Sequence, residues 1–337
     1  MPDAVAIHSI RKTFGPKVAV DNVSLRVAQG ALCGLIGPNG AGKTTTIRMI
    51  MSIIFPDSGT LEVLGRKSAM ESKDRIGYLP EERGLYRKMR VAPFLTYMAR
   101  LKGVDSAAAT QRAAAWLERV GLKDAARKKC EELSKGMQQK VQFVASVIHE
   151  PDLIILDEVF SGLDPVNRRM MRDLIHEQHG AGRTIIFSTH AMFEAEALCD
   201  QVLMIHQGRK VLDGPLHEII ARFDPRTILV EPLNAGAQGT LAAVPGVAEA
   251  AALDGRGAAG GSGGVFELRL ETRAEQAAVM REVTARVPVR RIELKRVTLE
   301  DVFLDVVREA GGEGVDPAAL RGVSAERALA MGTGGES

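Results

Sequence analysis

Cysteine is scarce in this chain: Cys33, Cys130 and Cys199 are the only three in 337 residues, far apart and never in C-x-x-C spacing. That argues against a disulfide framework or a cysteine zinc site and suits a reducing compartment. Charge of one sign is also missing. The formal net charge is +2, which argues against a nucleic-acid-coating surface and leaves room only for local basic patches. Nowhere do about 18 apolar residues run without interruption, so no stretch is expected to span a bilayer. The opening Met1-Pro2-Asp3-Ala4 lacks the charged-then-apolar order of a signal peptide. The expectation is a cytoplasmic chain whose membrane role comes through a partner.

Apolar residues make up 45 % and charged residues 26 %, the balance of an ordinary globular protein. The length allows one large and one small domain. The most informative stretch is Gly37-Pro38-Asn39-Gly40-Ala41-Gly42-Lys43-Thr44-Thr45. It follows an apolar run at 31–36 and precedes a helical pattern at 45–54, the strand–turn–helix context that the phosphate-binding pattern G-x-x-x-x-G-K-[ST] requires. Glycines let backbone N–H groups close around an anion, and the new helix offers its unpaired N–H groups and positive dipole end. Lys43 supplies a mobile charge for outer phosphates, and the Thr44 hydroxyl can complete a Mg²⁺ shell. The simpler reading, a glycine-rich turn with a solvated lysine, does not account for the flanks.

Alternation predicts strands at 5–10 and 23–27 around a turn with Gly15 and Pro16, where Phe14 reads as a half-buried turn aromatic. Short strands follow at 60–64 and 75–79. Residues 92–101, 106–120 and 135–149 carry helical patterns with no strand between them, suggesting a helical subdomain over about 88–150 beside an α/β sheet. Leu153-Ile154-Ile155-Leu156 and Thr184-Ile185-Ile186-Phe187 are apolar runs of the kind covered on both faces. Asp164-Pro165 reads as a helix start, 191–199 as a short helix, and 202–205 with 210–212 as a hairpin. From about residue 223 the predicted order is β-α-β-β-α-β, matching a small α+β, ferredoxin-like (split βαβ) domain over 223–310. Its glycine-rich stretch 254–264 is expected to be a mobile hairpin loop. Residues 298–309 read as a helix, and 311–337 as a largely disordered tail with one helical pattern at 318–329.

Asp157-Glu158 ends the first apolar run, at the edge where open α/β sheets bind ligands. Asp157 is placed to hold Mg²⁺, and Glu158 to accept a proton from an attacking water. For a lone Asp-Glu, capping of a neighbouring helix would be the default. His190 follows the second run and emerges on the same edge as Lys43 and Asp157, where it can donate a hydrogen bond to the outer phosphate; alone it would read as a satisfied strand-end histidine. Ser134 precedes a helical run and reads as an N-cap. That helix spans roughly 20 Å at about 1.5 Å per residue before the Asp157 strand begins. A phosphate-facing Ser134 would therefore serve a second copy of the chain, packed head to tail about a two-fold axis.

Together these residues resemble the ATP-binding cassette ATPases over residues 5–222. In that resemblance 37–45 corresponds to the Walker A loop, 153–158 to Walker B and Ser161-Gly162-Leu163-Asp164 to the D-loop. His190 corresponds to the switch histidine and 133–139 to the L-S-G-G-Q signature. Phe14 matches the aromatic that stacks on adenine, and 78–86 falls at the Q-loop. The resemblance implies a P-loop cassette fold, ATP and Mg²⁺ as ligands, and ATP hydrolysis. It implies nucleotide contacts from Phe14, Gly37, Asn39, Gly40, Gly42, Lys43, Thr44, Thr45, Glu81, Ser134, Gly136 and Asp164. Glu158, His190 and Lys43 would act in catalysis, with Thr44, Asp157 and Glu81 toward the metal.

The strings GYLPEERGLY and LSKGMQQKVQ, with the small C-terminal domain, are similar to cassettes that pair with ABC-2-type membrane proteins, including ones linked to sodium efflux and drug resistance. The resemblance then implies an ATP-sandwich dimer at the cytoplasmic face of a membrane, energising a separate permease in export. A soluble cassette acting on ribosomes or DNA is the alternative; that class carries two cassettes or a long coiled coil, and neither occurs here. Three departures stand out: Glu81 (or Glu82) in place of the Q-loop Gln, Lys135 and Met137 within the signature, and Val159 after Glu158. None removes a catalytic group, so an active ATPase is expected. The transported substrate and the role of the C-terminal domain are not legible.

Overall fold

The computed structural model describes residues 2–82, 84–223, 226–234, 236–253, 264–271 and 273–309, the side chains of 308 and 309 excepted. The expected loop at 254–264, apart from Gly264, and the tail from 311 with its helical pattern lie outside the described residues. Contacts divide the chain into two compact units: residues up to His217 together with those from Phe303, and Glu218–Val302.

The first unit opens with the long strands β1 (Asp3–Phe14) and β2 (Lys17–Ala28), which pair as an antiparallel hairpin. β3 (Leu32–Ile36) leads through the glycine-rich loop into α1 (Lys43–Ile50), and β4 (Ser58–Val63) returns to pair with β1. β5 (Ile76–Leu79) is followed by three successive helices, α2 (Val91–Leu101), α3 (Ser106–Arg119) and α4 (Lys135–Val147). Then come β6 (Leu153–Asp157), α5 (Pro165–Gly180), β7 (Thr184–Thr189), α6 (Met192–Leu198), β8 (Gln201–His206) and β9 (Arg209–Pro215), and α7 (Leu216–Arg222) runs on into the second unit.

β2, β1 and β4 form a three-stranded antiparallel sheet, while a six-stranded sheet runs β5-β6-β7-β3-β8-β9. In the larger sheet only β9 is antiparallel to its neighbour. Every residue of β3, β6 and β7 is buried, which is why these segments read as unbroken apolar runs: both of their faces are covered. Strand order then decides which strand ends are neighbours. β7 lies between β3 and β6, with Thr189 opposite Ile36 and Ser188 opposite Asp157. The carboxyl ends of three strands, distant in sequence, thus meet along one edge.

The second unit contains β10 (Thr227–Pro232), α8 (Gln238–Ala242), β11 (Val247–Ala252), β12 (Phe266–Leu270), α9 (Gln276–Arg286) and β13 (Val289–Leu294), and α10 (Leu299–Glu309) begins in it. The strands form an antiparallel sheet in the order β11-β12-β10-β13, the ferredoxin-like arrangement expected from β-α-β-β-α-β. Leu241, Val279 and Val283 on the helices and Ile228, Val230 and Leu268 on the strands belong to its own core.

Some boundaries differ from the sequence reading. α1 stops at Ile50 rather than 54, because Ser52 adopts a positive φ of 54° and the chain turns toward Pro56. α7 and a 3₁₀ segment at Ala69–Arg75 were not expected; each is only seven residues long, too short for periodicity to mark it.

Candidate active site

The loop between β3 and α1 closes because glycine stands where no side chain fits. Gly37 has φ +150°, and a Cβ there would lie 2.1 Å from the Ile205 carbonyl oxygen. Gly42, the N-cap of α1, has φ +110°, with the Ala19 carbonyl oxygen 2.6 Å from where a Cβ would be. The loop is thereby pressed against β2 and β8, and the first turn of α1 is left with its N–H groups free for an anion.

Lys43 begins α1 and is buried. Its Nζ donates to the carbonyl oxygens of Gly37 (2.8 Å) and Pro38 (3.2 Å) and lies 3.5 Å from Glu158 Oε1. The ammonium therefore sits inside the loop, held by weak neutral acceptors and one carboxylate that an arriving phosphate can replace.

Asp157 is fully buried at the end of β6. Its Oδ1 accepts from the Ser188 hydroxyl and from Thr44 Oγ1 at 3.3 Å, whereas its buried Oδ2 has no hydrogen-bond partner among the described residues. Burial pushes its pKa above the ordinary carboxylate value, opposed by the two hydroxyls. An orphaned carboxylate oxygen beside a threonine hydroxyl is a donor set that fits a hard divalent cation.

Glu158 follows with φ +50°, uncommon for a non-glycine residue, and its backbone N–H donates to Ser188 Oγ at 3.0 Å. That turn separates the two adjacent carboxylates. Asp157 stays inside, while Glu158 reaches Lys43 on one oxygen and His190 on the other, with His190 Nδ1 3.0 Å from Oε2. The hydrogen bond to Glu158 raises the His190 pKa against the effect of burial.

Phe14, Asn39, Gly40, Gly42, Lys43, Thr44, Thr45, Glu81 and Glu158 line one open cleft, together with Lys17 and Ala19. Phe14 ends β1 and is 51 % exposed, a ring available for stacking, with the Lys12 ammonium 5.7 Å from its centroid. Asp157 and His190 join this group through Thr44 and Glu158.

Four expected nucleotide-contacting residues do not line this cleft: Gly37 is buried within the loop, its carbonyl accepting from Lys43 Nζ, and three others are elsewhere. Ser134 is the N-cap of α4, accepting from Met137 N at 3.3 Å. Asp164 caps α5 by accepting from Asn167 N at 2.9 Å. Gly136 faces the Asn167 side chain, at 3.1 Å from the site of a Cβ, and the same amide donates to Asp164. Ser134, Gly136 and Asp164 thus line none of the cleft and belong to a second constellation at two helix starts.

Sequence reasoning missed Ser188, which bridges Asp157 and the Glu158 backbone, and Gln139, a buried residue of α4 whose amide donates to the Val159 carbonyl at 3.0 Å. Serine and glutamine carry no spacing signal. For Ser188, only its place one residue beyond the β7 apolar run marked it.

Known proteins resemble this chain in sequence and fold. The ABC transporter family model matches residues 20–161, and the model of the C-terminal domain of ATP-binding protein DrrA1-3-like proteins matches 214–307. An ABC transporter ATP-binding protein of Alkalihalophilus pseudofirmus is 40 % identical over 278 residues, 82 % of this chain and 99 % of the relative. The Nod factor export ATP-binding protein I of Cupriavidus metallidurans is 37 % identical, over 65 % of this chain and 74 % of its own. Among solved structures, the ATP binding subunit of an ABC transporter aligns with a TM-score of 0.61 at 30 % identity, covering 65 % of this chain and 93 % of that one. The chain belongs to the ABC transporter ATP-binding proteins, and it is an ATPase.

Proposed function

We propose that this chain is the ATP-hydrolysing subunit that energises a separate ABC-2-type membrane permease, working in export as a two-fold dimer that sandwiches two ATP molecules. The observation that carries the dimer is the division of the site: the phosphate loop and Glu158 line one cleft, with Asp157 and His190 bonded to its lining, and Ser134, Gly136 and Asp164 form another constellation. Each half lacks what the other presents, and a second copy related by two-fold symmetry supplies both.

In this reading Phe14 stacks on the base, the loop N–H groups with Lys43 bind the phosphates, and Glu158 accepts a proton from the attacking water. His190 holds Glu158 in place and donates toward the γ-phosphate. The partner's Ser134 and Gly136 close the site from the other side. Mg²⁺, held by Thr44 and Asp157 with Glu81 nearby, would neutralise phosphate charge. Ser188 keeps Asp157 and the Glu158 backbone in register for these roles.

Export is supported by the relative named for Nod factor export. No helix among the described residues is long and apolar enough to cross a membrane. We assign residues 1–222 to the nucleotide-binding domain, with its helical subdomain at about 88–150, and 223–310 to the C-terminal domain. Purification from detergent extracts tests the assignment. A multi-span ABC-2-type protein co-purifying with the chain is expected; ribosomes or nucleic acid in its place would overturn it.

A further inference from the structure

Glu194 is a carboxylate with no solvent exposure, outside the nucleotide cleft. It lies in the first turn of α6, four residues beyond His190. Its Oε2 accepts from Arg172 Nε at 2.6 Å, and its Oε1 lies 3.5 Å from Arg168 Nε. Both arginines are on α5, the helix capped by Asp164. The Arg168 guanidinium also donates to the Leu163 carbonyl, at 3.5 Å, in the turn just before that cap. Phe193 lies beneath both guanidinium groups, 5.7 and 5.9 Å from its ring centre.

Two helices could be packed without this cluster. Apolar side chains of similar volume join helices with no desolvation cost, and often as well or better than a buried ion pair. What an ion pair adds is a fixed length and direction. Here it runs from Arg168 and Arg172 in the first half of α5 to the first turn of α6, which only Ala191 separates from His190. Ala191 is itself pinned, its N–H donating to Thr189 Oγ1 at 3.0 Å.

We infer that Glu194 is a positioning residue: by holding Arg168 and Arg172 it ties the turn ending in Asp164 to the strand end that presents His190 to Glu158. The inference rests on the reading of Glu158 and His190 as the reacting pair. The inner carboxylate is sealed, while the arginines keep 23 % and 32 % of their side chains exposed.

The test uses the full chain, with steady-state ATP hydrolysis, thermal melting, and the His190 imidazole NMR signals of the nucleotide-free protein, which report the Glu158 hydrogen bond. Glu194→Gln and Arg172→Met are expected to leave KM within about twofold, lower kcat by roughly tenfold or more through misplacement of His190, and shift the imidazole signals. Arg172→Lys, which keeps the cation, should retain most of kcat. Leu174→Val, a buried α5 change, should lower the melting temperature without moving kcat or the signals. Should Glu194→Gln not fold, the part-exposed Arg172 pair carries the measurement. Unchanged His190 signals in the folded variants, or losses of kcat that merely track melting temperature, would overturn the inference. Because these signals are read without nucleotide, failure of the proposed dimer leaves this test intact. Normal turnover by His190→Ala would instead refute the reading of the reacting pair.

Discussion

His190 Nδ1 lies 3.0 Å from Glu158 Oε2 while Lys43 Nζ stands 3.5 Å from Oε1 of the same carboxylate. One glutamate is thus held between a residue at the start of α1 and one just past the end of β7, and neither contact depends on nucleotide. This arrangement holds a proton acceptor in place before substrate arrives.

Replacing that acceptor separates binding from chemistry. Glu158→Gln keeps the size of the side chain and its place beside Lys43, so ATP affinity should persist while hydrolysis falls by roughly 10²-fold or more. Arrested turnover should also accumulate an ATP-bound dimer, visible as a shift in gel filtration with ATP. Turnover at the normal rate would remove Glu158 from the role of base.

The pairing makes stability depend on pH in a definite direction. Hydrogen bonding to Glu158 raises the folded pKa of His190 above its ordinary value. The interaction therefore contributes fully below the unfolded value of about 6.5 and is lost as pH rises through the higher folded value. His190→Gln should lower the melting temperature more at about pH 6 than at about pH 9. Equal shifts at both would contradict the pairing.

A composite site predicts complementation. Lys43→Ala disables the phosphate loop and Ser134→Ala removes a hydroxyl from the other constellation, so each alone should be nearly inactive. In a mixed dimer one site carries both lesions and the other neither. Mixing the two variants should restore part of the ATPase activity, measured against each variant alone at equal total protein. Loss of the Ser134 cap itself costs only about 1 kcal/mol, which a melting curve will register separately.

Backbone demand along the loop is uneven. Gly37→Ala would drive a methyl to 2.1 Å from the Ile205 carbonyl oxygen, whereas Gly40, with φ +77°, has open space around it. Gly37→Ala should destabilise by roughly 3 kcal/mol and abolish nucleotide binding; Gly40→Ala carries only left-handed strain of roughly 1 kcal/mol. Urea denaturation and ATP titration of both variants check the order.

Much of this protein is legible in its sequence. The phosphate loop announces itself because backbone curvature around an anion demands glycine at set positions, and burial on both faces turns β6 and β7 into apolar runs ending at Asp157 and at Ser188-Thr189. Helix periodicity and the order of elements after residue 226 are likewise local properties, and suffice for a ferredoxin-like second unit. The tertiary structure alone decided what stands beside what. Strand order puts Ser188 against Asp157, a positive φ at Glu158 sends two neighbouring carboxylates to different tasks, and helix packing brings buried Glu194 to Arg168 and Arg172. These are contacts between residues tens of positions apart, and their chemistry leaves no period or spacing in the chain for a reader to find.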